Sequence, residues 1–512
     1  MIRLLLFCIC PFALLSQPII EWENNFGTFS NDFAGSIIQI PDGGYVFSAW
    51  SVTPEEFPSG SYGGNDAQVY KIDKYGNLVW QKHYGGSGND VVNKLFSTSE
   101  GHIIAVGFTA SDDHDVPGNK GMDDAWVLEL DTDGKIISSK TFGGSDSDGF
   151  SDVLKNKVGG WELLGSTYSA DGDFYDPDTI KGSFILKTNN SWGTEQVYKF
   201  SPLFNDYAER FVRLGDGGYM MAGTAYLGAV GDIDKSDVCL TRIANDGEMI
   251  WSKTYGGEKR DFFEDIQISG DKIIIVAESY VSPYQGIIDN TDYWVFNVDL
   301  NGSIKQSKKY GGPKPEWISN VISLPNDELL LIGSSFSDEI AQPIGADIWL
   351  IKVDNRGDIV WQTTFGGYLS EISRDFCPTL DGGFILLAET SSSDGDVGGN
   401  LGGGEGTDDI WVVKLAPEDL RIEEKCQPTK VYPNPITGDK LTVAFQNPTE
   451  KPAKIELFDA AGRFILSFEQ EEIGFDREIT IDLPAALSAG IYLLKVFNCN
   501  NEPSFQKLVK IQ

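Results

Sequence analysis

Histidine and cysteine are scarce: the chain has three of the first and six of the second in 512 residues. So few imidazoles exclude a histidine-rich zinc centre and leave little material for a Ser-His-Asp triad. His83 fills a strand slot shared with Thr141, Lys199 and Thr254; His102 begins a strand, and His114 lies in an acidic loop. No Gly-x-Ser-x-Gly elbow and no phosphate-binding loop occur. Cys8 and Cys10 lie in an N-terminal apolar run without the small residues that precede a lipoprotein anchor. The other four are too few for a disulfide scaffold. Cys239 and Cys377 read as small strand hydrophobes, whereas Cys426 and Cys499 flank the last domain and are a candidate pair.

Positive charge is also scarce, with 40 Lys and Arg against 76 Asp and Glu, a net charge of −36. Nucleic acid and anionic membranes would be repelled. The longest apolar run, from Leu4 to Leu15 behind Arg3, is too short to span a bilayer and ends at Ser16-Gln17. It reads as a secretory signal peptide over 1–16, and no later stretch could span a membrane.

What is abundant is glycine, 57 residues, with 12% aromatics, which points to many short strands joined by tight turns. An aromatic-Gly-Gly landmark begins at Tyr84, Phe142, Tyr255, Tyr310 and Phe365, with degenerate copies at Phe26 and Phe200. The steps are 58, 58, 58, 55, 55 and 55 residues. An Asp-x-Trp strand keeps the same period and places Trp126, Phe184, Trp294, Trp349 and Trp411 on one face. An Asp-Gly-Gly turn recurs at Asp42, Asp216 and Asp381. Each unit therefore reads as four strands, a to d. An Asp-Gly-Gly turn joins a to b, a long loop joins b to c, and an Asp-x-x-Gly turn such as Asp131–Gly134 joins c to d. Four strands per repeat of this length is the pattern of a propeller blade.

The last unit stops after strand c, and the segment from Ile19 to Gly27 matches strand d, with Trp22 in the place of Trp80, Trp251 and Trp361. The expected fold is all-β: a seven-bladed β-propeller over 17–416 closed by its N-terminal strand, which removes the sheet edges of an open array. Through this repeat, residues 19–416 resemble the propeller-like repeats of exported Bacteroidetes proteins.

Residues 417–427 read as a charged linker. Beyond it, alternating apolar residues between Gly and Pro turns predict a small immunoglobulin-like β-sandwich over 428–512. Tyr432-Pro433-Asn434-Pro435, Asp459–Arg463 with Gly462, Gly490-Ile491-Tyr492 and the terminal Lys507–Ile511 closely resemble the C-terminal sorting domain of type IX secretion substrates. The resemblance implies the type IX secretion machinery as a partner and delivery to the extracellular space or the outer-membrane cell surface.

Binding is expected on the b–c loops, because long loops on a rigid scaffold carry most recognition. Phe57, Tyr62, Phe174, Tyr175, Tyr226, Tyr280 and Tyr284 lie there and could stack on sugar rings. Three of these loops carry Asp-x-Asp: Asp113 and Asp115, Asp171 and Asp173, Asp394 and Asp396. Such pairs can ligate calcium, the one candidate cofactor; the alternative is that each Asp caps its own turn. The leading expectation is a monomeric, non-enzymatic binding protein for a glycan or protein. The alternatives are a polysaccharide hydrolase or lyase using carboxylates only, and a structural component of the cell surface or matrix.

Overall fold

The computed structural model describes residues 18–28, 31–51, 62–157, 159–175, 181–200, 207–228, 235–281, 290–341, 344–399, 407–417, 428–445, 453–459, 463–470, 478–484, 487–497 and 503–511. The chain divides into two compact units, one of them Ile19–Ala416.

That unit is all-β and propeller-like. Among the described residues it contains seven four-stranded antiparallel sheets, six of them built from consecutive strands a, b, c and d. Their a strands are Asp32–Gln39, Asp90–Ser97, Asp148–Lys155, Tyr207–Arg213, Asp261–Ser269 and Glu316–Ser323. The seventh sheet joins Glu371–Pro378, Phe384–Thr390 and Asp409–Leu415 to the N-terminal strand Ile20–Phe26. Each a strand contacts the a strand of the next sheet, and that of the seventh contacts that of the first.

The repeat landmarks each have a local cause. In the a–b turn the Asp42 carboxylate accepts the Gly44 amide at 2.8 Å while Gly43 takes φ +89°, a left-handed geometry that favours glycine. In the c–d turn Asp131 accepts the amides of Asp133 and Lys135 at 2.9 and 2.8 Å. The aromatic that ends strand d then clasps the neighbouring sheet: Tyr84, Tyr255 and Tyr310 donate their hydroxyls to the carbonyls of Gly134, Gly302 and Gly357 at 2.6, 2.7 and 2.8 Å. A Cβ on Gly134 would stand 2.9 Å from the Tyr84 hydroxyl, so the turn needs glycine for space as well as for φ.

Packing explains the tryptophans of strand c. Trp126, Phe184, Trp294, Trp349 and Trp411 are all buried. Opposite them on strand b lie Gly107, Gly165, Ala277, Gly333 and Ala388. A small residue on one strand makes room for the ring on the next.

The described residues of the C-terminal unit form two sheets. One holds Pro428–Tyr432, Lys440–Phe445 and Glu478–Asp482; the other holds Phe464–Gln470, Ala453–Asp459, Gly490–Phe497 and Pro503–Lys510. Val431, Leu441, Val443, Ile455, Leu457, Tyr492, Leu494 and Leu508 belong to one buried cluster. The Asn434 side chain donates to the Lys507 carbonyl and accepts the Val509 amide, both at 3.0 Å. The Pro-Asn-Pro segment and the terminal strand, far apart in sequence, are thus one structural element.

Candidate functional site

Strands alternate in direction, so the b–c loops and the d–a corners emerge at the same ends of their sheets. At five corners the acid that opens strand a accepts the amide of the second landmark glycine. Asp90, Asp148, Asp261, Glu316 and Glu371 bind the amides of Gly86, Gly144, Gly257, Gly312 and Gly367 at 2.8 to 2.9 Å. The Asp that opens strand c approaches the same spot: a Cβ on Gly143 would lie 2.3 Å from Asp124 and 2.9 Å from Asp148. Burial raises Asp148, Asp261 and Glu371, and takes Asp124 to about 6 and Glu316 to about 7, because a low-dielectric corner disfavours the charged form.

The Asp-x-Asp loops tie down these corners. Asp113, Asp171 and Asp394 accept the amides of Ser87, Ser145 and Tyr368 at 2.7, 2.7 and 2.8 Å. Asp115, Asp173 and Asp396 accept those of Gly85, Gly143 and Gly366 at 3.4, 3.0 and 3.2 Å. The carboxylates point at backbone N–H groups, and Lys120 pairs with Asp173. Among the described residues no group of three or more His, Cys, Asp or Glu side chains could hold a metal ion.

The loop aromatics have different fates. Tyr62 is 42% exposed and stacks on His114 of the next sheet's loop at 4.1 Å. Tyr175 and Tyr226 are exposed, at 64% and 38%, and make no ring contact among the described residues. Tyr280 is half-buried. Phe174 does not present itself to a ligand: it is 1% exposed and stacks on Phe184 at 4.0 Å, because its loop folds back onto the core. Phe57 and Tyr284 lie outside the described residues, as do Gly462 of the sorting motif, Cys426 and Cys499.

Sequence reasoning missed the bulges of the inner strands. Every a strand is interrupted near its middle by a bulge where its register with strand b slips. The bulges fall on polar or small residues: Gly35-Ser36, Asn93-Lys94, Ser151-Asp152, Glu209-Arg210, Glu264-Asp265, Ser319-Asn320 and Arg374-Asp375. A bulge re-aims its side chains, and here they meet. Lys94 of the second sheet lies 3.3 Å from Asp375 of the seventh, although the first sheet stands between them. Asp375 also accepts the Ser36 hydroxyl and the Ile37 amide at 2.8 and 2.9 Å, and Asn320 reaches it at 3.3 Å. Asp152 and Asp265 likewise take the amides of Phe211 and Val321 in the following sheets at 3.1 and 3.2 Å. Burial opposes the Asp375 charge, yet Lys94 and the Ile37 amide hold its carboxyl below the usual range. The legible signal was a pair of polar or small residues breaking an otherwise apolar strand, at the same place in all seven units.

Past the bulges, towards the a–b turns, a cavity of about 570 Å³ is lined by residues including Ile38, Ile40, Leu95, Phe96, Cys377 and Leu380. Burial pushes the Cys377 thiol up to about 12.

Residues 430–512 match the family described as the secretion system C-terminal sorting domain, which implies export to the cell surface or outer membrane and contact with the secretion machinery. Among the described residues no helix is long and apolar enough to cross a membrane. No curated protein matches the chain in sequence. Among solved structures, PorZ, an essential surface component of the type-IX secretion system of Porphyromonas gingivalis, is 11% identical; the match covers 94% of this chain and 81% of PorZ, with a TM-score of 0.25. A quinohemoprotein alcohol dehydrogenase of Pseudomonas putida HK5 is 10% identical, over 82% of this chain and 79% of its own, at 0.37. Drosophila Plexin A in complex with Semaphorin 1b is 7% identical, over 78% and 88%, at 0.42. Superpositions this loose carry nothing about activity.

Proposed function

We propose that this chain is an exported, non-enzymatic binding protein: a seven-bladed propeller over 17–416 closed by its N-terminal strand, followed by a linker and a type IX sorting domain, with a leader over 1–16. Its ligand is a glycan or protein held on the long-loop face. Closure is supported by the pairing of Ile20–Phe26 with Asp409–Leu415, from Ile20 opposite Leu415 to Phe26 opposite Ile410. It is also supported by Trp411, whose indole donates to Glu23 at 3.0 Å.

The observation that carries the binding reading is the tethering of the loops. In three sheets an Asp-x-Asp pair fixes the b–c loop to the corner beside it, and Tyr62 and Tyr175 stand exposed on that face. Rings on a pre-organised surface lose little freedom when a ligand docks, and their faces suit pyranose rings or apolar side chains.

The test is a glycan array and a pull-down with the full chain, repeated with Tyr62→Ala, Tyr175→Ala and Tyr226→Ala combined. The expected result is a saturable ligand whose affinity falls roughly tenfold or more in the triple variant, in line with aromatic hot spots. Recovery of no ligand, or a ligand indifferent to the three changes, overturns the reading.

A further inference from the structure

The seven sheets share one construction beside the bulge. The bulge residue of strand a follows by two a residue that faces a partner on strand b, so all three side chains lie on one face of the sheet. In the seventh sheet the bulge residue is Arg374 and the strand-b partner is Glu389, opposite Ile372. Arg374 donates to Glu389 at 2.7 Å, and Glu389 also accepts the Ala34 amide at 3.0 Å. In the fourth sheet Glu209 accepts the amide of its partner Thr224 at 3.1 Å. In the first, second, third and sixth sheets neither position carries a charge.

The fifth sheet differs. Its bulge residue is Glu264 and its strand-b partner is Glu278, opposite Phe262. Two acids occupy the places that hold an Arg–Glu pair in the seventh sheet. Neither carboxyl accepts a hydrogen bond from any described residue. The neighbouring charges do not replace the missing cation. Arg260 stacks over Phe262 at 5.7 Å and attracts Glu278 without bonding it. Arg210 and Arg374 attract Glu264 from a distance, and Glu209 repels it. Arg374 is already committed to Glu389.

We propose that Glu264 and Glu278, with the ring of Phe262 beside them, receive an external guanidinium or alkylammonium group, which takes the place that Arg374 occupies in the seventh sheet. The inference goes beyond the loop-face reading, since it does not depend on which loops hold the rest of a ligand. Two carboxylates can accept several N–H bonds from one cation, and an aromatic ring favours the aliphatic stem or the charge itself. The chain's net charge of −36 draws cations to its surface. Within the same chain, Glu389 already binds a guanidinium at the equivalent position.

Without such a cation the pair resists ionisation. Burial pushes Glu278 up to about 8, and burial with repulsion from Glu278 pushes Glu264 well above the usual range. On binding, the Glu278 carboxyl gives its proton to solvent, and the resulting carboxylate accepts N–H groups of the ligand with the oxygens of Glu264 as further acceptors.

The probe is agmatine, which carries a guanidinium and an ammonium, titrated calorimetrically into the full chain between pH 6 and 9. Saturable binding is expected, strengthening by up to about tenfold per pH unit below pH 8 as one proton is released, and levelling above it. Glu278→Gln should weaken it at least tenfold at pH 8.5. Glu264→Arg rebuilds the seventh-sheet pair internally; it should abolish binding and raise the thermal midpoint. Absence of saturable binding at pH 8.5, or binding undiminished in Glu278→Gln, overturns the proposal whether or not Glu264→Arg folds. A glycan or protein ligand found on the loop face would not rescue it, and failure to find one would not weaken it.

Discussion

The corners of the sheets and the bulges of their inner strands are built on opposite plans. At the corners one solution recurs: an acid at the head of strand a binds the amide of the second landmark glycine in the second, third, fifth, sixth and seventh sheets. At the bulges, seven equivalent positions hold Gly, Asn, Ser, Glu, Glu, Ser and Arg. Recurrence is what a local backbone requirement produces, since each corner must satisfy the same amides. Variation is what a shared centre produces, because residues that meet one another must be complementary rather than alike. Repeated residues therefore report architecture, and the unrepeated ones are where individual function can reside.

Three experiments bear on that contrast. The largest effect is expected from deleting residues 20–26, which leaves the seventh sheet with three strands and uncovers Trp411 and Ile410, both 0% exposed. An unpaired inner edge of this kind invites aggregation, so the truncated chain should fail to accumulate as a soluble monomer on size-exclusion chromatography. A soluble, cooperatively melting product would show that the N-terminal strand is dispensable.

Next comes Asp375→Ala at the centre. It strips the partner from the half-buried Lys94 and from the buried Ser36 hydroxyl and Ile37 amide, and a buried donor left unsatisfied costs about 1–3 kcal/mol. Urea unfolding should show that loss, with a smaller one for Asp375→Asn, which keeps one acceptor oxygen. Equal stability in all three chains would mean that the bulges do not bind the sheets together.

The smallest effect belongs to the corners and is a slope with pH. Asp124 at about 6 and Glu316 at about 7 hold protons in the folded chain that the unfolded chain has already lost, and burial raises Asp148, Asp261 and Glu371 in the same direction. A raised carboxyl contributes stability below its unfolded value and loses it as pH rises through its folded value. The thermal midpoint should therefore fall by a few degrees, roughly 2–5 °C, between pH 5 and 8. Asp124→Asn with Glu316→Gln should flatten the slope. Asp375, held low, acts only below about pH 4, the usual carboxylate range. A midpoint that rises from pH 5 to 8 would reverse the assignment of these corners.

Much of the fold was legible in the order of residues. The Asp-Gly-Gly and Asp-x-x-Gly turns sit where their spacing placed them, because an Asp side chain and a positive-φ glycine act within five residues. Less of the candidate site was legible. The Asp-x-Asp loops could be read as cation ligands or as caps, and only the fold shows the amides across the corner that they accept. Phe174 looked like any loop aromatic until its loop turned inward.

The sequence by itself determined the period, the strands and their turns, because those depend on interactions between near neighbours in the chain. Only the tertiary structure decided that Lys94 faces Asp375 across 281 residues, and that Glu264 stands where a partner cation is missing. Such encounters depend on how the sheets come together around a common centre, and no local pattern encodes which of the distant charges will meet there.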